Sequence, residues 1–370
     1  MIYIGIFVLV YNKGYQEFDD VLASVSTKVK GYSFANKTIA GDFPGIWDVA
    51  DYTVPPQENN AIFVTTNAIL TYDQEQTKCP EAVSAKDFCN NDEDCAPMTT
   101  KAGGNGVRTG KCVNSSQSEN KVCEIYSWCP LENDTLTGTP LLTSAENFTL
   151  FVKNNILFPK FGVSRSNILD SDLKRCRFNA SDPTLKFCPI FVLNDIVQFT
   201  SNHFDDLNKM GASIQIQITW DCNLDFDESA CLPKYNFKRL DNNRTTNVSE
   251  GYNFRYAHYY KVENVTKRTL IKAYGIQFDI VVQGRAGKFY IIPLMLNIGS
   301  GLALLTLSSI VCDIIMLHIH KLRQFYRDKK YQNVEEACQQ TEMKPSGNIG
   351  KTKLLKNQEK NDVQDYGATT

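Results

Sequence analysis

The sequence predicts an α+β membrane protein: a β-rich ectodomain, stapled by disulfides, between two transmembrane helices. Three observations carry this. Ten of the twelve cysteines lie between Cys79 and Cys231. Eight N-x-[ST] sequons, headed by Asn36, Asn114, Asn133, Asn147, Asn179, Asn243, Asn247 and Asn264, all precede one apolar run. That run, "FYIIPLMLNIGSGLALLTLSSIVCDIIML", extends from Phe289 to Leu317.

An even block of ten cysteines implies five bridges and an oxidising compartment. Their spacing is irregular and lacks paired CxxC knuckles, so no zinc site is expected. Sequons at this density point to the secretory route and glycosylated loops. The formal charge of −2 over 370 residues gives no global basic bias, and no nucleic-acid partner is expected.

From the N-terminus, "MIYIGIFVLVY" is apolar but too short to cross a bilayer, which takes about 20 residues. It has no basic leader region and no small-residue cleavage site. Residues 1–13 therefore read as the outer part of a first transmembrane helix whose beginning is missing. Residues 14–288 form the ectodomain, with a Cys-rich head over about 79–129. Residues 289–318 form a second helix, interrupted by Pro293, Asn297 and Asp313. Lys321, Arg323, Arg327, Lys329 and Lys330 follow it and mark the cytosolic side. Both termini then face the cytoplasm, with one large loop outside the plasma membrane. Residues 319–370 are a cytoplasmic tail, polar and aperiodic after about 332 and expected to be disordered.

Inside the ectodomain, strand alternation is frequent. "SIQIQITW" (213–220) sets Ile214, Ile216 and Ile218 on one face, and "YGIQFDIVVQG" (274–284) does the same with Ile276, Phe278, Ile280 and Val282. Both read as half-buried antiparallel strands. "AGGNGVRTGKC" (102–112) looks like a phosphate loop but has Asn105 and Cys112 where that motif needs Gly and Ser or Thr.

"STKVKG" (26–31) places Lys28 and Lys30 on one strand face and Val29 on the other. Either this face is solvated or it holds a polyanion. In "GYNFRYAHYY", Asn253 and Arg255 alternate with aromatics, and "RTLIKAYG" adds Lys272. None of the four cations has an acidic neighbour in sequence, and spacing alone cannot bring them together.

"TKVKG", "IWDVADY", "ENFTLFVKNNILFPKF", "GYNFR", "RTLIKAYGI", "AGKF" and "NIGSGLAL" occur in this order with the ten ectodomain cysteines. The chain resembles the ATP-gated cation channels called ionotropic purinergic receptors, the P2X family, from Met1 to about Lys330. Among the subtypes it is most similar to the fifth. The resemblance implies a homotrimer, or a heterotrimer with related subunits, that binds ATP between neighbours and opens a pore for Na+, K+ and Ca2+. It implies no cofactor, although Mg2+ or Ca2+ can accompany the nucleotide. Lys28 and Lys30 would contact phosphates, and Asn253, Arg255 and Lys272 would complete the cradle from the facing subunit. Thr149 would hydrogen-bond the adenine. Phe151 stands where relatives often carry an aliphatic residue against the base. The cysteine order implies the bridges Cys79–Cys129, Cys89–Cys112, Cys95–Cys123, Cys176–Cys188 and Cys222–Cys231. Cys312 and Cys338 would be free thiols, or Cys338 lipidated.

On the second helix Leu296, Ser300, Ala303 and Leu307 form one stripe with Asn297 at its edge. Such a stripe either packs helices or, as the resemblance implies, lines the pore and gates it. Asp313 is the one ionisable residue in the run. No carboxylate ring appears at the gate, so sharp selectivity is not expected. Two departures from the family are the missing start and Tyr290, where an acid is common. The tail keeps "YRDKK" (326–330), which matches a Y-x-x-x-K element that the resemblance ties to surface retention. Competing readings are a single-pass disulfide-rich surface protein, a non-conducting fragment or subunit, and a proton- or peptide-gated trimeric sodium channel. An enzyme is not expected: only four histidines occur, two of them (His318, His320) at the inner membrane edge, and no nucleophile motif appears.

Overall fold

A computed structural model describes residues 11–35, 45–56, 58–115, 118–133, 136, 139–169, 176–241 and 251–327. The sequons at Asn36, Asn243 and Asn247, Cys338, most of the expected first helix and the residues after 327 lie outside this set. The chain divides into two compact units, Tyr15–Pro293 and a second made of the segments flanking it.

The larger unit is built on strands. In chain order they are β1 (Gln16–Asp20), β2 (Leu22–Lys30), β3 (Ser33–Phe34), β4 (Ile46–Trp47), β5 (Ala61–Pro80), β6 (Val107–Asn114), β7 (Lys121–Cys129), β8 (Thr149–Phe158), β9 (Val163–Ser166), β10 (Ile190–Val192), β11 (Ala212–Asn223), β12 (Lys234–Arg239), β13 (Asn253–Val262) and β14 (Val265–Phe289). One sheet has the order β12-β11-β14-β5-β7-β6, with β1 and β13 also paired to β14. A second has the order β10-β8-β2, with β9 paired to β8. A short α1 (Val49–Tyr52) is closed by a capping box between Asp48 and Asp51. Helices α2 (Leu193–Phe199) and α3 (Phe204–Leu207) follow β10.

The main core draws on both sheets. Ile214, Ile216, Ile218 and Trp220 of β11 join Leu150, Val152, Ile156 and Phe158 of β8, all buried. A polar pin crosses it: Trp220 Nε1 donates to Asn154 Oδ1 at 2.8 Å, and Asn154 Nδ2 donates to Ser24 O at 3.1 Å. Both groups are thereby satisfied, which burial requires.

The two strand expectations hold in part. The alternation in β11 is present and β11 is antiparallel to β12, but it runs parallel to its other neighbour β14, in register from Ala212↔Ile276 to Asn223↔Gly287. A parallel pair needs a long return connection; here the chain passes through β12 and β13 before β14 begins. β14 is antiparallel to β1, β5 and β13 as expected, but from Leu270 to Phe278 its alternation gives way to burial on both faces.

Helix α4 (Ile291–Ile314), which belongs to the second unit from Leu294 onward, continues into a π-helical turn, Ile315–Ile319. Together they make 29 residues, with a mean hydropathy of 2.1 over an 18-residue window, the one helix among the described residues long and apolar enough to cross a membrane. Pro293 lies in its first turn, where a missing N–H costs no intrahelical bond.

Candidate functional site

The expected site residues fall into two clusters on different sheets. In the first, β2 pairs with β8 so that Lys28 lies opposite Phe151 and Lys30 opposite Thr149. Between them Val29 lies opposite Leu150, and both are buried. The alternation therefore puts Lys28, Lys30, Thr149 and Phe151 together on the outer face. Both lysines are exposed, and neither has an ion-pair partner among the described residues. Thr149 Oγ1 lies 3.4 Å from Lys30 O, to which it donates.

Three sequence motifs meet behind this face. Gly31 follows β2, and a Cβ there would collide with the ring of Phe148. Phe148 stacks on Tyr52 of α1 at 4.6 Å, and the Tyr52 hydroxyl donates to Gly31 O at 3.0 Å. Burial, and then the charge of Asp48, push the Tyr52 phenol up to about 12. It stays a donor throughout the physiological range.

The second cluster lies on the β13–β14 hairpin, whose turn uses Glu263 and Asn264 at φ of 46° and 71°. Arg255 lies directly opposite Lys272, and Asn253 opposite Tyr274. Tyr252 and Phe254 pack on Phe63 of β5 at 5.6 and 4.8 Å, which fixes the "GYNFR" segment. Lys272 is only 9% exposed, with Nζ 5.3 Å above the Tyr274 ring.

Two like charges opposite each other, one of them buried, need a counter-charge. Glu132 supplies it. Its Oε2 accepts from Arg255 Nε at 2.7 Å, and its Oε1 lies 4.0 Å from Lys272 Nζ. The sequence reading missed this acid, 123 positions before Arg255. Glu132 follows Cys129, the end of β7, where the bridge to Cys79 and the pairing Glu75↔Cys129 hold the chain against β5.

The five bridges Cys79–Cys129, Cys89–Cys112, Cys95–Cys123, Cys176–Cys188 and Cys222–Cys231 are present, and Cys312 is a free thiol. The sulfurs of Cys89, Cys95 and Cys123 cluster within 4.8 Å, but each is consumed in a disulfide, so they offer no thiolate to a metal. Asn114, Asn133, Asn147, Asn179 and Asn264 are exposed.

On α4, Leu296, Ser300, Ala303 and Leu307 are exposed along one stripe, as is Asp313. Ser300 Oγ donates to Asn297 O at 3.0 Å. The Asn297 amide donates to Gly14 O at 2.7 Å.

The architecture is that of a β-rich, disulfide-stapled domain joined to a helix of membrane-spanning length. Residues 1–333 match the sequence profile of the family described as "ATP P2X receptor". The chain is 50% identical to mouse P2X purinoceptor 4 over 337 residues, covering 89% of this chain and 85% of the relative. It is 45% identical to human P2X purinoceptor 5 over 355 residues, covering 93% and 79%. A solved structure of the chicken ATP-gated P2X7 receptor channel, with the competitive antagonist TNP-ATP, superposes with a TM-score of 0.76 at 37% identity, covering 86% of this chain and 97% of that one. A P2X receptor from the Gulf Coast tick, with ATP and Zn2+, gives 0.74 at 42% identity, covering 85% and 97%. The chain belongs to the ATP P2X receptor family. Its identities to the fourth and fifth subtypes are too close to single out the fifth.

Proposed function

We propose that this chain is a subunit of a trimeric, ATP-gated, non-selective cation channel of the plasma membrane. One observation carries the reading: the cationic residues fall into two clusters on different sheets, the Lys28–Lys30 face of β2 and the Arg255–Lys272 pair of the β13–β14 hairpin. A nucleotide held between two copies would meet Lys28, Lys30, Thr149 and Phe151 from one, and Asn253, Arg255 and Lys272 from its neighbour. The triphosphate bears about four negative charges, and hydrogen bonds to charged groups contribute about 1.5–3 kcal/mol each. Phosphate oxygens would displace the Glu132 carboxylate from Arg255, exchanging one charge-assisted bond for another.

Gating follows as a population shift: ATP binds the open arrangement better than the closed one. A tenfold preference at each of three sites gives about 4 kcal/mol. Three copies of the α4 stripe around an axis would form a narrow, weakly polar constriction between leucine rings, which can close by dewetting.

The test is whole-cell current evoked by ATP from cells expressing this chain, together with ATP displacement of TNP-ATP from the purified protein. Inward cation current and displacement are expected, and thiol reagents should modify a Ser300→Cys variant faster with ATP present. Displacement without current would identify a non-conducting subunit. Neither signal at confirmed surface expression would overturn the reading.

A further inference from the structure

We propose that Asp225 is a positioning residue that caps the sheet where β1 and β14 reach the membrane, so that the two strands move as one stiff body. The part concerning motion rests on the gating read above; the cap itself does not.

The β11–β14 pairing ends at Asn223↔Gly287, and Leu224 N then donates to Gly287 O at 2.8 Å. Beyond that rung β11 turns away, drawn into the small loop closed by Cys222–Cys231. The next amide of β14 facing that side, Phe289 N, would lose its acceptor. Asp225 Oδ1 takes its place at 2.5 Å. A side chain thus extends the ladder by one rung, two residues before α4 begins at Ile291.

The other carboxylate oxygen turns to β1. Gln16 Nε2 donates to Asp225 Oδ2 and to Asn223 Oδ1, each at 2.6 Å. Gln16 is only 4% exposed and lies opposite Phe289 in the β1–β14 register. On the β1 side, Tyr290 N donates to Tyr15 O at 3.2 Å. Gly287 carries an independent sign of the same device. A Cβ on it would collide with Gln16 Oε1, so the glycine keeps clear the path along which Gln16 crosses to the loop. One carboxylate therefore joins three strands at the place where a pull on the sheet must pass into the helix, and it removes the slack that an unbonded strand end would have.

The experiment uses the full chain in lipid nanodiscs. Hydrogen–deuterium exchange is followed in peptides covering 284–290 for the wild type, Asp225→Ala, Asp225→Asn and Gly287→Ala. In parallel, TNP-ATP affinity and maximal ATP-evoked current per surface receptor are measured. Asp225→Ala should speed exchange at Phe289 by about tenfold and lower maximal current by about threefold, with nucleotide affinity unchanged within about twofold. Asp225→Asn keeps an oxygen for Phe289 and should show a smaller change in exchange, which guards against a folding defect in the alanine variant. Gly287→Ala should repeat the alanine pattern. Equal exchange in all four proteins, or affinity falling as far as current, overturns the proposal. A wild type that neither binds nucleotide nor conducts defeats the gating reading, and the exchange data alone then decide the cap.

Discussion

The two cationic half-sites solve the same electrostatic problem in opposite ways. On β2, Lys28 and Lys30 stand two residues apart, both in water, where solvent and salt screen their repulsion. They need no counter-ion, and none is present among the described residues. On the hairpin, Arg255 and Lys272 are cross-strand neighbours, and Lys272 is buried. There Glu132 sits between them. The lesson is that exposure, not charge count, decides whether a cluster of cations is left bare or brings its own anion. On the proposed reading, one half attracts the ligand and the other must be won from a competitor.

The sharpest way to break this contrast is to remove a bare lysine. Lys30→Ala or Lys28→Ala should shift the ATP concentration–response curve to the right by about ten- to a hundredfold at equal surface expression. An unshifted curve would take the lysines out of the site. Next in size is Glu132→Gln, which removes the competitor. Because Arg255 is 46% exposed, the pair is partly screened, and the expected effect is a left shift of about two- to fivefold. A right shift would show that Glu132 supports nucleotide binding and does not compete with it.

The smallest effect concerns the anchor of the acid-held half. Asp241 accepts from Arg239 at 2.8 and 3.0 Å and from Gly251 N, two residues before Asn253, at 3.3 Å. Burial alone would raise its pKa, but the hydrogen bonds and charge of Arg239 outweigh it and hold the carboxyl below its usual value of 3.8. A depressed folded-state value stabilises the fold above the ordinary carboxylate range, and that stability is lost as pH falls through it. Thermal unfolding of the full chain should therefore show wild type ahead of Asp241→Asn at about pH 6, by about 1–2 °C, and the two converging below about pH 4.

How far the sequence could be read depended on the range of each interaction. Lys28, Val29 and Lys30 obey a two-residue period, so their faces were legible, as was the isoleucine face of β11. The parallel pairing of β11 with β14 was not, because it depends on where a return through β12 and β13 deposits the chain. Resemblance supplied the cysteine partners, which spacing leaves open among many. It did not supply Glu132, an acid with no local pattern that finds its cations only after β7, β5, β14 and β13 have aligned. Gly31 shows the same limit: the need for glycine comes from the distant ring of Phe148.

Glu132 also bears on which anions can act. A small ion such as inorganic phosphate resting on Lys28 and Lys30 gains nothing from the far half, where a carboxylate already satisfies the guanidinium. Only a molecule long enough to hold the near amines while its other end evicts that carboxylate collects both contributions. On the proposed reading, discrimination by chain length is built into the resting charge pattern, and shorter phosphates in the same extracellular fluid are ignored.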